Sequence, residues 1–136
     1  MQFSQELNRA FYSIRSYSAG EISISAPFDR TLEQPEIPAE EVLTESFIMT
    51  PSQLIRNWPP QSVAEICANH LETIADLSPE VLIIGTGVTL EFPEVTLTYD
   101  LMEKGIGVEV MDTAAACRTY NVLMHEGRRV ALALVI

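Results

Sequence analysis

Two stretches decide the fold: Val81-Leu82-Ile83-Ile84-Gly85-Thr86-Gly87 and Gly105-Ile106-Gly107-Val108-Glu109-Val110-Met111-Asp112-Thr113. Val81 to Ile84 is continuously apolar and bounded by Gly85, the pattern of a strand covered on both faces. Ile106 to Met111 repeats that character. Pro93 to Lys104 lies between them and predicts a helix, with Val95, Leu97, Leu101 and Met102 apolar and Pro93 near its start. Gly105 closes it. Asp112 or Thr113 caps a further helix running to His125, and Gly127 supplies its stop. Val130 to Val135 is a last apolar strand. The order strand, helix, strand, helix, strand predicts a largely parallel sheet with right-handed crossovers. Its central buried strands are expected at 81–84, 106–110 and 130–135.

Working outward, Phe11 to Ser25 alternates with a period of two, through Tyr12, Ile14, Ile22 and Ile24, and Ser18-Ala19-Gly20 supplies a hairpin turn. From Asp29 to Glu45 the alternation dissolves. Pro35 and Pro38 punctuate this stretch and Glu33, Glu36, Glu40, Glu41 and Glu45 crowd it, so a solvated loop is expected. Ser46 to Met49 reads as a short strand. Leu54, Ile55 and Trp58 suggest one helical turn before Pro59-Pro60. Trp58 fits either the edge of the core or an anchor for a partner. Ser62-Val63-Ala64-Glu65 carries the capping-box pattern, so a helix is expected to start there and run to Ala75. The hairpin and the Ser46 strand are expected to extend the parallel strands into one mixed sheet.

The 136 residues suit one domain with one core. The longest C-terminal apolar run has seven residues, Val130 to Ile136, too short for a transmembrane helix. A net charge of −11, with Arg128 and Arg129 the only adjacent pair of bases, excludes a phosphate-tracking surface, and no nucleic acid is expected as a partner. Cys67 and Cys117 have neither disulfide-framework nor metal spacing and read as small buried hydrophobes within helices. That points to a reducing, cytoplasmic setting. The first residues lack a basic region followed by an apolar stretch, so no secretory signal is expected. His70 reads as a hydrogen-bonded boundary histidine. His125 sits where a helix C-terminus favours a cation. No metal and no cofactor are expected.

In an open α/β sheet, ligands bind beyond the carboxyl ends of parallel strands. Two such ends occur here, at Gly85-Thr86-Gly87 and at Met111-Asp112-Thr113, and they meet if their strands are neighbours. The glycines permit tight turns, but a third fingerprint glycine and a Walker lysine are both missing. Asp112 reads first as a helix cap. Glu109 interrupts an apolar strand, where an unpaired carboxylate is costly, so it is expected to be paired, shifted in pKa, or at an exposed position. Arg118, on the following helix, is its expected partner, in either a structural ion pair or a functional one. The candidate edge is therefore Gly85, Thr86, Gly87, Glu109, Asp112, Thr113 and Arg118. No nucleophile–base constellation accompanies it, so no catalytic residue is assigned.

The run from Gly105 through Asp112-Thr113-Ala114-Ala115-Ala116-Cys117-Arg118-Thr119-Tyr120-Asn121-Val122-Leu123 resembles the signature of the Mth938-like, or DUF498, family. Val81 to Gly87 and Glu126-Gly127-Arg128-Arg129-Val130 fit the same pattern. The acidic stretch at 29–45 looks like an insertion into an otherwise single Mth938-like domain. The resemblance implies a three-layer α/β fold on a mixed central sheet, with an N-terminal β-hairpin. It also implies a link to a mitochondrial member that helps assemble respiratory complex I by binding other assembly proteins. Two functions follow. One is a non-enzymatic assembly protein, binding another assembly factor or a respiratory complex subunit and reaching a membrane only through that partner. The other is a small-molecule binder or enzyme using the strand-end edge. A buried pocket at that edge would favour the second; a filled edge with an exposed apolar patch elsewhere would favour the first.

Overall fold

The computed structural model describes residues 10–27 and 40–136. Its strands are β1 (Ser13–Ser18), β2 (Glu21–Ser25), β3 (Glu40–Leu43), β4 (Phe47–Met49), β5 (Leu54–Ile55), β6 (Val81–Gly85), β7 (Gly107–Met111) and β8 (Val130–Leu134). Its helices are α1 (Ala68–Ala75), α2 (Val95–Glu103) and α3 (Thr113–His125). The main sheet has the order β5-β4-β8-β6-β7. β6 runs parallel to both β7 and β8, whereas β4 runs antiparallel to β8 and to β5, so the sheet is mixed.

Alternation along these strands divides the apolar residues between two cores. Phe47, Met49, Val81, Ile83, Val130, Leu132 and Leu134 face α3 and the inner side of the hairpin. Ile48, Leu82, Ile84, Ala131 and Ala133 face the opposite layer, built on Leu71 and Ile74 of α1 and Leu101 of α2. Because both faces are covered, β6 and β8 are buried along their whole length, which explains their unbroken apolar sequence. Each fully buried aliphatic side chain contributes about 1.5–3 kcal/mol.

The hairpin does not extend this sheet. β1, β2 and β3 form a separate antiparallel sheet that packs on α3. Asn121 of α3 pins it: its Oδ1 accepts from the Ile14 amide at 3.0 Å and its Nδ2 donates to the Ile14 carbonyl at 2.8 Å. The buried Tyr120 hydroxyl donates to the Tyr12 carbonyl at 2.8 Å.

Part of the acidic stretch expected to be a loop is strand. Glu40–Leu43 pairs with β2, Leu43 opposite Ile22. The acids are tolerated because arginines from distant segments meet them: Arg15 pairs with Glu40, and Arg56 grips Glu41 through two bonds of 2.6 and 2.8 Å. The Arg56 hydrogen bonds hold the Glu41 carboxyl below its ordinary value. Residues 29–39 of that stretch lie outside the described residues.

Three further expectations are corrected. Leu54 and Ile55 form a short strand, not a helical turn, because they pair with Met49 and Ile48. Ser62–Glu65 does not open a long helix. Val63–Glu65 is one 3-10 turn, Ile66 and Cys67 are extended, and α1 begins only at Ala68. The cap is supplied by a different pair: the Cys67 amide donates to His70 Nδ1 at 3.1 Å. Cys67 is accordingly exposed rather than buried, whereas Cys117 is buried on α3. Trp58 belongs to the core, where it meets His70 edge to face with ring centroids 6.1 Å apart.

Gly85 marks the closest approach of α3 to the sheet. A Cβ there would stand 2.2 Å from Leu134 Cδ2 and 3.1 Å from Ala116 Cβ. Leu134 and Ala116 are both fully buried and have no room to withdraw. Gly85→Ala is expected to destabilise the fold by about 1–3 kcal/mol, read as a lower urea midpoint at unchanged slope. Burial pushes the Cys117 thiol up to about 12. A thiol reagent at neutral pH is therefore expected to modify Cys67 alone in the folded protein, and both cysteines after unfolding.

Candidate functional site

The two strand-end turns come together as neighbours because β6 and β7 are adjacent and parallel. The Thr86 amide donates to the Met111 carbonyl at 3.0 Å, and the Thr113 amide to the Gly87 carbonyl at 2.9 Å. The Gly87 amide donates to Thr113 Oγ1 at 2.8 Å, and the Thr113 hydroxyl donates onward to the Val135 carbonyl at 3.2 Å. Val135 in turn donates its amide to the Gly85 carbonyl at 3.0 Å. Gly87 adopts φ +98°, a conformation that a side chain would strain. Asp112 caps α3, its Oδ1 accepting from the Ala115 amide at 2.9 Å.

Gly85, Thr86, Gly87, Asp112 and Thr113 therefore cluster at one end of the sheet, and they satisfy one another. The amides of Gly87 and Ala115 that an anion would need are already taken. The recesses walled by Phe11 and Arg128, by Arg15 and Arg118, by Leu71 and Leu97, and by Glu41 and Arg56 include none of these five residues.

Glu109 and Arg118 are not joined. Ion pairs among the described residues link Arg15 to Glu40, Arg56 to Glu41 and Arg128 to Glu80. The expectation of a Glu109–Arg118 pair rested on a central β7; the alternative of an exposed position is the one found. In the structure β7 is the edge strand, with Gly107 and Glu109 exposed. Glu109 shares the α3 face with Ile83, its neighbour in register, but solvent hydrates it and removes the cost of standing unpaired. Arg118 lies on the side of α3 that meets the hairpin. There it lines a shallow recess of about 280 Å³ with Arg15, Tyr17 and Asn121.

Beyond the turns the chain presents what the sequence reading overlooked. Thr86, itself buried, organises the next loop: its hydroxyl donates to the Thr89 carbonyl at 2.7 Å and accepts from the Glu91 amide at 3.2 Å. On this braced loop Val88, Leu90 and Phe92 stand exposed, and on α2 so do Val95, Tyr99 and Met102. The available signal was an excess. α2 carries more apolar residues than the single face that packs through Leu97 and Leu101 can bury. No helix among the described residues is long and apolar enough to cross a membrane. No group of three His, Cys, Asp or Glu residues among them is placed to hold a metal ion.

This architecture is that of the Mth938-like α/β domains. It matches a Bordetella pertussis protein described as a Mth938-like domain at a TM-score of 0.70 and 30% identity, covering 92% of this chain and 85% of that one. A protein from Bordetella parapertussis matches at 0.75 and 36%, covering 92% and 95%. The family model for proteins of unknown function DUF498/DUF598 matches residues 14–135, and the chain belongs to that family. In sequence it is 39% identical over 83 residues to NADH dehydrogenase (ubiquinone) 1 alpha subcomplex assembly factor 3 of Xenopus tropicalis, covering 60% of this chain and 45% of that protein. It is 32% identical over 73 residues to a 13 kDa major membrane protein of Francisella tularensis, covering 54% and 59%. The chain spans about half the length of the curated relatives it matches.

Asp112→Ala is expected to cost ~1 kcal/mol as a lost helix cap. Thr113→Val, which keeps the shape but strands the Gly87 amide and the Val135 carbonyl, is expected to cost about 1–3 kcal/mol. Hydrogen exchange should report the second directly, as faster exchange at the Gly87 amide with the sheet amides of β6 still protected.

Proposed function

We propose that this chain is a non-enzymatic, protein-binding factor that assists assembly of a respiratory complex. The observation that carries the reading is the contrast at the end of the sheet. The strand-end turns are filled by their own hydrogen bonds, while the loop they brace turns apolar side chains to solvent. Contiguous exposed apolar surface on a folded domain marks an interaction site more often than a catalytic one. The similarity to proteins named as complex I assembly factor 3 supplies the process. In this reading Gly85, Thr86, Gly87, Asp112 and Thr113 are positioning residues for the loop. Glu109, on the edge strand, and Arg118, against the hairpin, are exposed and take no part in bracing the loop. The partner is another assembly factor or a subunit of the complex, and it brings the chain to the membrane from the cytoplasm.

A second reading is favoured by one feature. A cavity of about 430 Å³ opens at the opposite end of the sheet, where β8 begins, walled by Phe11, Pro51, Leu77 and Met124 with Arg128 and Arg129 at its rim. That volume falls within the range of small-molecule sites. The alternative ligand-binding function belongs there rather than at the filled strand-end edge.

Deletion and complementation separate the two. Loss of the chain is expected to reduce the amount of fully assembled respiratory complex on native gels, and the wild-type copy to restore it. Normal assembly after deletion, together with a bound metabolite that Arg129→Gln releases from the purified protein, would favour the ligand reading instead.

A further inference from the structure

The exposed apolar side chains from Val88 to Met102 follow one another along one segment of chain. At 100° per residue, Val95, Tyr99 and Met102 fall within roughly 60° of one another on α2, a single stripe turned away from the buried Leu101. The loop from Val88 to Phe92 leads directly into the start of that stripe. Phe92 is 73% exposed and Val95 77%, so these side chains are presented outward rather than sheltered at the core boundary. The segment is braced at both ends. Its loop is braced by the Thr86 hydroxyl at one end, and buried Pro93 fixes the entry into α2 at the other.

The charges along this segment are nearly all of one sign. Glu91, Glu94, Asp100 and Glu103 are exposed along the same segment, and Lys104 is the one base within it. Glu94 and Glu103 flank the stripe on its two sides. The neighbouring Glu103 carboxylate raises the Tyr99 phenol above its ordinary value.

Resting on the protein-binding reading above, we infer that the loop 88–92 and the outer stripe of α2 form a docking surface for a cationic amphipathic helix of a partner protein. An apolar face on that helix would cover Phe92, Val95 and Met102, and flanking lysines or arginines would meet the acidic rim. Two other occupants are opposed by the same charges. A second copy of this chain would set four acids against four acids, in a molecule already at −11. An anionic lipid surface would meet the rim with like charge. A helix in a groove or along a stripe is read through anchors spaced three to four residues apart, the spacing that α2 offers.

The test uses the full chain and a synthetic amphipathic peptide about five helical turns long, leucines on one face and lysine and arginine on the other. A matched peptide carries glutamate in place of every base. Fluorescence anisotropy is expected to show binding of the cationic peptide that weakens as salt rises, and none of the acidic one. Phe92→Ser and Val95→Ser should each weaken it at least about tenfold. The double substitution Glu91→Lys with Glu94→Lys should do the same. Val122→Ser, at an exposed apolar position on α3, should leave it unchanged. Glu94 makes no side-chain cap bond, and thermal unfolding of the double variant separates any loss of helix stability from the loss of charge.

Equal binding of both peptides, or binding indifferent to Phe92 and Val95, overturns the proposal. So does a Phe92-dependent dimer in sedimentation, which assigns the surface to a second copy. Phe92-dependent flotation with zwitterionic vesicles overturns it in favour of a membrane. A failed peptide arm with successful complementation refutes the partner chemistry alone. Normal respiratory assembly after deletion refutes the assembly role and leaves the measured surface chemistry standing.

Discussion

The Thr113 hydroxyl joins three segments of chain at one point. It accepts from the Gly87 amide after β6, donates to the Val135 carbonyl after β8, and sits at the first residue of α3. It is fully buried, where an unmade hydrogen bond costs more than a made one contributes. The absence of a side chain at Gly85 lets α3 descend far enough for this to happen. The register of α3 on the sheet is therefore set by polar contacts at Thr113, its hydroxyl and its amide to Gly87, within a largely apolar layer. The same α3 then carries Asn121 and Tyr120, which seat the hairpin sheet on its far side. A polar lock at the helix start and polar pins further along position a layer that hydrophobic contact alone would leave free to slide.

That lock also decides what the sheet end can do. In many α/β proteins the space beyond the parallel strands is where backbone amides and helix dipoles converge on a ligand. Here the amides converge on the protein's own side chains. Asp112 takes the amide of Ala115, and Thr113 takes that of Gly87. The consequence is a stiff platform instead of a cleft. The loop rising from it, held by Thr86, keeps Val88, Leu90 and Phe92 in water. Exposing large apolar residues on an immobilised loop gives up burial in the isolated chain. Preorganisation of this kind lowers the ordering cost when a partner arrives.

Much of this was legible from residues alone. The alternation from Val81 to Leu134, the caps at Asp112 and Gly127, and the hairpin turn at Gly20 are local patterns whose physical cause is local. The places where the reading failed are those where a distant segment decided the outcome. Glu40 and Glu41 read as loop residues because the arginines that neutralise them, Arg15 and Arg56, are far away in sequence. The pairing expected of Glu109 failed because strand order, which no window of sequence encodes, places β7 at the edge. The Ser62 capping pattern was genuine chemistry in the wrong context, since Val63 and Ile66 bury from a 3-10 turn and an extended link. The candidate edge was found in position but not in character. Spacing brought Gly87 and Thr113 together, yet only the coordinates show their donors and acceptors spent on each other.

The central claim is that the loop after β6 and the outer face of α2 are where this protein meets its partner. Photocrosslinking in living cells tests it most directly. A benzophenone side chain placed at Phe92, and separately at Val122, would be irradiated and the adducts identified. The account predicts one dominant protein adduct from position 92, to an assembly factor or a respiratory complex subunit, and none from position 122. No adduct at 92, or the same adducts from both positions, would contradict it.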